Sequence, residues 1–310
     1  MPAGPAGLLN QLSRRTARLK LAVVLRHGYL LTRKALSRLG FELIFSTYDS
    51  PVPAVGAIEP GFFERADPLR GIDFDAGRQI EFVERELAGY CREFDPPLRP
   101  EQAGSGRFYL HNSTYESVDA ELLYAMVRRF EPKRMIELGS GFSTLIARQA
   151  LQRNEGADPD RVLTTFDPYR SDLLPANVTV VPETAQSVAL ETFRDLGVGD
   201  LLFVDTSHTV KLGGDVNRIV LDILPTLGPG VIVHFHDIFL PYPYSRAHLV
   251  DAHFWSEQYL LQAFLSGNRD WEVLVGAFAV ARAHPDRLAA AVPSFGPGVN
   301  PGAFWIRRRL

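Results

Sequence analysis

Cysteine occurs once in the 310 residues, as Cys91. A lone cysteine excludes an intrachain disulfide and any multi-cysteine zinc site, and it fits a reducing, cytoplasmic compartment. Long apolar runs are missing too. The stretch "LAVVL" is far too short to span a bilayer, and no segment resembles a cleavable secretory signal. There are no internal repeats and no long low-complexity tract. The remaining composition, 46% apolar and 22% charged, is that of an ordinary globular chain, long enough for one large or two modest domains.

Acidic residues are absent before Glu42, whereas residues 1–41 hold eight cations: Arg14, Arg15, Arg18, Lys20, Arg26, Arg33, Lys34 and Arg38. The net charge is −3, so the rest of the chain carries −11 once the arm's +8 is removed. Leu19, Val23, Leu30 and Leu31 can share a helical face among these cations. Such a segment suits an anionic membrane surface or a nucleic acid; the plainer expectation is a solvated helical arm packed on the rest of the protein.

Residues 1–45 read as helical, 46–75 as a Pro-, Gly- and Asp-rich connection, and 76–94 as a helix with Ile80, Val83, Leu87 and Tyr90 on one stripe. "DPPLRPEQAGSG" reads as a linker. We therefore expect an N-terminal helical and irregular extension over 1–105 and a catalytic domain over 106–310. From about residue 115 the pattern alternates. "SVDAELLYAMVRRF" is a helix that Ser117 can cap. Strands follow at "RMIELGSG", "VLTTFD", "NVTVV", "DLLFVDTSH", "GVIVHFHDIF", "WEVLVGAFAV" and "GAFWIRR", with helices between most of them. This alternation implies a mostly parallel sheet covered on both faces. Ligands of such sheets bind at the carboxyl ends of the strands.

The first strand ends "IELGSGFST". Gly139 and Gly141 let a backbone turn approach a ligand at a helix start, and Glu137 stands just before the turn. A dinucleotide fingerprint would require a third glycine at 144, which is Thr, and a ribose-binding acid about 20 residues on. The acid that ends the second strand, Asp167, comes 28 residues after Gly139. A nicotinamide oxidoreductase is therefore the poorer reading of this turn.

"ELGSGFST" resembles the first motif of the class I S-adenosylmethionine-dependent methyltransferases. The resemblance spans about residues 107–310. Two longer runs, from Leu110 to Ala147 and from Leu201 to Tyr242, are similar to a poorly characterised bacterial group of that class, related to the metal-dependent O-methyltransferases of small molecules and sugars. The resemblance implies a Rossmann-like, doubly wound, mostly parallel seven-stranded α/β sheet. It implies S-adenosylmethionine as cofactor, held by Glu137, Gly139, Ser140, Gly141, Ser143, Asp167, Glu183 and Asp205, with the stretch Glu183 to Gln186 around the adenine.

The fourth strand ends in Asp205 with His208 three residues on, and the fifth ends in His236–Asp237. The metal-dependent O-methyltransferases are similar at these strand ends. That likeness carries a divalent-metal role to Asp205, His236 and Asp237, and a general-base role to His208 with Asp205 beside it. An ion on a hydroxyl oxygen lowers its pKa, and a histidine accepts the proton near neutral pH. The familiar sites have Glu-Asp or Asp-Asn where this chain has His-Asp. Imidazole suits Zn, Fe, Ni or Cu better than Mg, and His236 can instead be one half of an ion pair. His234 is expected in the core. Tyr242, Tyr244, Trp255 and Tyr259 can line an acceptor pocket or pack beneath a long connection, and Asn112 and Tyr115 precede the domain's first helix near the cofactor.

The expected acceptor is a small molecule or saccharide hydroxyl. Nucleic acid is not expected, since "DTSH" stands where an amino-methylating enzyme carries N-P-P-Y. The competing functions are an NAD-type oxidoreductase and a non-catalytic cofactor-binding protein on the same fold.

Overall fold

The computed structural model describes residues 28–42, 44, 50–53, 56, 58–104 and 106–310. It divides into two compact units, Met1–Ile58 and Glu59–Leu310. In the first, a helix covers 28–37, with Leu30 and Leu31 exposed and Arg33 paired to Glu42 at 3.0 Å. The cations from Arg14 to Arg26 lie outside the described residues. No helix among the described residues is long and apolar enough to cross a membrane.

The second unit is built on seven strands: β1 (Met135–Leu138), β2 (Leu163–Phe166), β3 (Val180–Val181), β4 (Leu201–Val204), β5 (Ile232–Phe235), β6 (Trp271–Gly276) and β7 (Phe304–Arg308). Their order is β3-β2-β1-β4-β5-β7-β6. The pairs from β3 to β5 are parallel, and β7 runs antiparallel to both of its neighbours. This is the Rossmann-like α/β sheet expected from the alternation of elements.

Side chains alternate across the pleat, so each short central strand feeds two cores. Met135, Leu201, Phe203, Ile232 and Trp305 pack on one face. Ile136, Leu138, Leu202, Val204, Val233, Phe235 and Ile306 pack on the other. Burial of each large side chain contributes roughly 1.5–3 kcal/mol before entropy is counted.

The helix α1 runs from Ala76–Phe82 through a π-helical turn, Val83–Leu87, to Ala88–Glu93, and Asp75 caps it through the N–H groups of Gly77 and Arg78. Its stripe of Ile80, Val83 and Leu87 is fully buried in the same core as α2 (Asp119–Phe130). The second compact unit thus includes α1, whose apolar face is one wall of its core. Ser117 does not cap α2; its hydroxyl lies 2.6 Å from that of Ser294. The Val118 N–H is taken by Glu121 at 2.8 Å. The strand expected through Val280 stops at Gly276, and a helix over Ala277–Ala283 follows.

The parallel strands end level with one another. Leu138 is in register with Phe166 and Val204, and Val204 with Phe235. The next residues, Gly139, Asp167, Asp205 and His236, therefore emerge along one edge of the sheet.

Candidate active site

A cavity of about 690 Å³ opens at this edge over the ends of β1, β2 and β4. Gly139, Ser140, Gly141, Ser143, Asp167, Glu183 and Asp205 line it, together with Tyr115 and Gln186. Gly139 has φ +98°, and a Cβ there would stand 2.1 Å from the Asp205 carbonyl oxygen. The turn after β1 thus presses against the end of β4, and only glycine fits. Gly139→Ala is expected to cost at least about 2 kcal/mol, read as a lowered midpoint in thermal unfolding. Gly141 differs: nothing stands within 4 Å of a Cβ there. The protein itself leaves that cradle free on the cavity side, where a ligand would fill it.

Two further features suit an occupant. Asp167 follows β2; its carboxylate accepts from Ser140 Oγ at 2.6 Å and from the Tyr169 N–H at 2.7 Å, which fixes it at the cavity wall. Tyr115 is 3% exposed, and its hydroxyl lacks a hydrogen-bond partner among the described residues. A buried donor without a partner costs about 1–3 kcal/mol, and a ligand in the cavity would supply one. Asn112 serves the backbone instead. Its side chain ties the turn before α2 through Tyr109, Thr114 and Tyr115.

Glu137 is the exception among the residues expected to touch the cofactor. It is fully buried and does not line the cavity. Its oxygens accept from Ser143 at 2.7 Å, Thr144 at 2.8 Å and Thr165 at 2.8 Å. The acid therefore sits behind the glycine turn and ties β1, β2 and α3 (Phe142–Arg153) together. Burial pushes its carboxyl up to about 7 against the pull of the three hydroxyls. A raised acid binds its proton more tightly when folded, so its contribution to stability is present below the ordinary value of 4.5 and lost as pH rises to about 7. The full loss is about 3 kcal/mol. Glu137→Gln removes this slope. The melting temperature of the variant relative to wild type should rise between pH 5 and pH 8, and a constant difference would refute the assignment.

Beside the cavity stands a cluster of acids and histidines. His208 Nε2 lies 3.3 Å from Asp205 Oδ1 and 3.6 Å from Asp237 Oδ2, while its Nδ1 is 2.9 Å from Glu257 Oε2. His236 Nδ1 lies 3.7 Å from Asp205 and 3.5 Å from Asp237, and its Nε2 is 3.4 Å from Asp119. Asp205, His208 and Asp237 each offer a ligand atom within 4.8 Å of the others. The expected trio of Asp205, His236 and Asp237 thus shares its carboxylates with a second histidine. Two carboxylates and an imidazole are a donor set for Zn, Fe, Mn or Ni, so a divalent ion fits the cluster.

Burial disfavours the charged form of His208, yet Asp205 and Glu257 outweigh it and lift the ring to about 10. His236 is likewise raised, by Asp237 and Asp205 against burial. Both carboxylates stay low despite burial because of the histidines, His236 foremost. His208 (φ +53°) and Asp237 (φ +55°) have left-handed backbones. Such strain costs on the order of 1 kcal/mol or more and collects at functional sites.

His234 lies wholly in the core between Phe203 and Trp305, and burial holds it well below the ordinary histidine range. It is an aromatic packing residue. Of the tyrosines and tryptophan after β5, Trp255 touches His208 at 4.4 Å between ring centres, Tyr244 is buried behind Trp255, and Tyr259 is largely exposed. Glu257 and Asp119 were not singled out from the sequence. Their partners are far along the chain, and no local motif announces them.

Residues 136–238 match the methyltransferase domain family. The chain is 30% identical over 159 residues to an uncharacterized protein of Archaeoglobus fulgidus, covering 47% of this chain and 70% of that protein. Among solved structures, a Thermobifida fusca protein described as a candidate methyltransferase matches at 14% identity and a TM-score of 0.36, over 79% of this chain and 97% of that one. The trans-methyltransferase CalH, solved with SAH, matches at 14% identity and a TM-score of 0.33, over 62% of this chain and 55% of that one. These two structural likenesses are too slight to add weight. The chain belongs to the family of the archaeal protein, and its residues 136–238 match a methyltransferase domain.

Proposed function

We propose that the protein transfers a methyl group to a hydroxyl oxygen of a small molecule or saccharide, with His208 as the general base. The observation that carries this is the Asp205–His208–Glu257 arrangement beside the cavity. S-adenosylmethionine, when bound, supplies an electrophilic methyl group. Asp167 and Glu183 are the carboxylates suited to its ribose and adenine ends, and the Gly139–Gly141 turn lets it approach the backbone.

An acceptor hydroxyl is a poor nucleophile until its proton is removed. Glu257 holds Nδ1 of His208, which fixes the ring and directs Nε2 toward Asp205 and Asp237. The ring keeps its own proton while those two carboxylates face it without another cation. Nε2 can take an acceptor proton only after releasing its own to solvent, which a cation facing Asp205 and Asp237, such as the sulfonium of a bound donor, would favour; the proton then taken is stabilised by Asp205 on one side and Glu257 on the other. Proton removal of this kind is worth about 10² to 10⁴ in rate. The rest of the gain comes from holding acceptor and donor close and aligned.

A second reading is favoured by the convergence of Asp205, His208 and Asp237 within 4.8 Å. Here the three hold a divalent ion, which would lower the acceptor's pKa, and His208 is a ligand. Chelator treatment separates the two readings: activity that survives EDTA supports the base, and activity lost and restored by one divalent metal supports the ion.

The cofactor assignment is tested by calorimetry with S-adenosylhomocysteine. Asp167→Ala should weaken binding about 100-fold, as expected for losing two hydrogen bonds to a charged group. Unchanged affinity would remove Asp167 from the site.

A further inference from the structure

Exposed apolar side chains are concentrated in the first unit. Leu30, Leu31, Leu39, Phe41 and Ile44 all lie open to solvent within a span of 15 residues, Leu39 at 73% and Phe41 at 65%. The helix over 28–37 carries the first two, and the turn and extended residues after it carry the rest. Single exposed leucines are ordinary, whereas a concentration of them marks a contact surface. Such a segment suits an occupant that takes it out of water.

Cations stand among these side chains. Lys34 follows Leu30 by one helical turn, and Arg38 follows the helix. Both are exposed and neither has a carboxylate partner among the described residues, whereas Arg33 is paired to Glu42. By sequence, residues 1–58 hold eight cations against Glu42 and Asp49, a charge of +6, and the chain's net −3 leaves −9 for residues 59–310. An anionic surface therefore attracts the first unit and repels the second.

We propose that residues 28–42 and Ile44 form a docking surface for an anionic phospholipid bilayer. Leu30, Leu31, Leu39 and Phe41 enter the acyl boundary, and Lys34 and Arg38 meet the headgroup phosphates. A nucleic acid would match the cations but leave Leu39 and Phe41 in water. A bilayer matches both, because a long basic side chain reaches the headgroups while its stem lies on apolar surface. This surface belongs to the first unit and stands apart from the methyl-transfer reading of the second.

The test is sedimentation of the full chain with vesicles of phosphatidylcholine alone, or of phosphatidylcholine mixed about 2:1 with phosphatidylserine, at low and high salt. The mixed vesicles should carry the protein down at low salt, and high salt should weaken that binding. Lys34→Gln combined with Arg38→Gln should weaken binding to mixed vesicles about 25-fold, or about fivefold for each cation. Leu31→Asn combined with Phe41→Asn, which leaves the charge unchanged, should weaken it at least about tenfold. No binding to mixed vesicles, equal binding to both kinds, or full binding by either double variant would overturn the proposal. So would protein that leaves the vesicles for a short duplex DNA, which would make the cations a nucleic-acid arm. A fall in particle mass by light scattering in the Leu31→Asn, Phe41→Asn chain without vesicles would make a second copy the occupant and overturn it as well.

Discussion

A His208→Gln chain is expected to turn over about a thousand times more slowly than wild type, while its affinity for S-adenosylhomocysteine stays the same. The two halves of this result come from where His208 sits. Its side chain does not line the cofactor cavity, so binding there has no reason to change. Its Nε2 faces the carboxylates of Asp205 and Asp237, at 3.3 and 3.6 Å, so the proposed proton acceptor or metal ligand is lost from that edge. Glu257→Gln keeps a hydrogen bond to Nδ1 but removes the charge behind it. Loss of such an orienting partner typically costs about 10- to 100-fold. The assay is release of S-adenosylhomocysteine on the first hydroxylated acceptor that wild type accepts from a panel of catechols and glycosides. Wild-type turnover by His208→Gln would end both the base and the ligand readings. A Glu257→Gln chain as impaired as His208→Gln would mean that the ring cannot be held without the charge.

The strands, their parallel direction and the level strand ends were legible because they follow from local periodicity. Runs such as Leu201–Val204 are wholly apolar because both faces of a central strand are covered. The cavity residues were legible for the same reason: once the strands are aligned, Gly139, Asp167 and Asp205 must neighbour one another. What escaped is what depends on distant partners. Glu137 looked like a ligand-facing acid, but Thr165, 28 residues on, and two hydroxyls of α3 close over it. Glu257 meets His208 across 49 residues, and no spacing rule connects them. An amphipathic stripe such as Ile80–Val83–Leu87 likewise announces a buried face without announcing what buries it.

Asp119 shows the same limit most strongly, and its removal is expected to be the most damaging change to stability. Its two oxygens accept from the backbone N–H groups of Gly302 and Ala303, at 2.9 and 2.8 Å, and Oδ2 also lies 3.4 Å from His236. All four residues are buried. Asp119→Ala leaves two buried donors unpaired, at about 1–3 kcal/mol each, and deprives the His236 ring of one of its three acids. We expect a loss of about 4 kcal/mol in chemical unfolding, toward the upper end for a single substitution. Asp119→Asn, which offers one accepting oxygen, should lose less. The damage should also reach the catalytic edge. Gly302 packs so closely on Asp237 that a Cβ would stand 3.0 Å from its backbone, and the Gly302 carbonyl accepts from the Ile238 N–H at 3.0 Å. Releasing Gly302 therefore frees Asp237, whose left-handed backbone is held by its surroundings. The cofactor cavity, built on β1, β2 and β4, does not depend on this contact. Below its melting point, Asp119→Ala should bind S-adenosylhomocysteine normally and methylate poorly. Cofactor affinity and turnover falling together would show that the two halves of the site are one cooperative unit, against this division of labour.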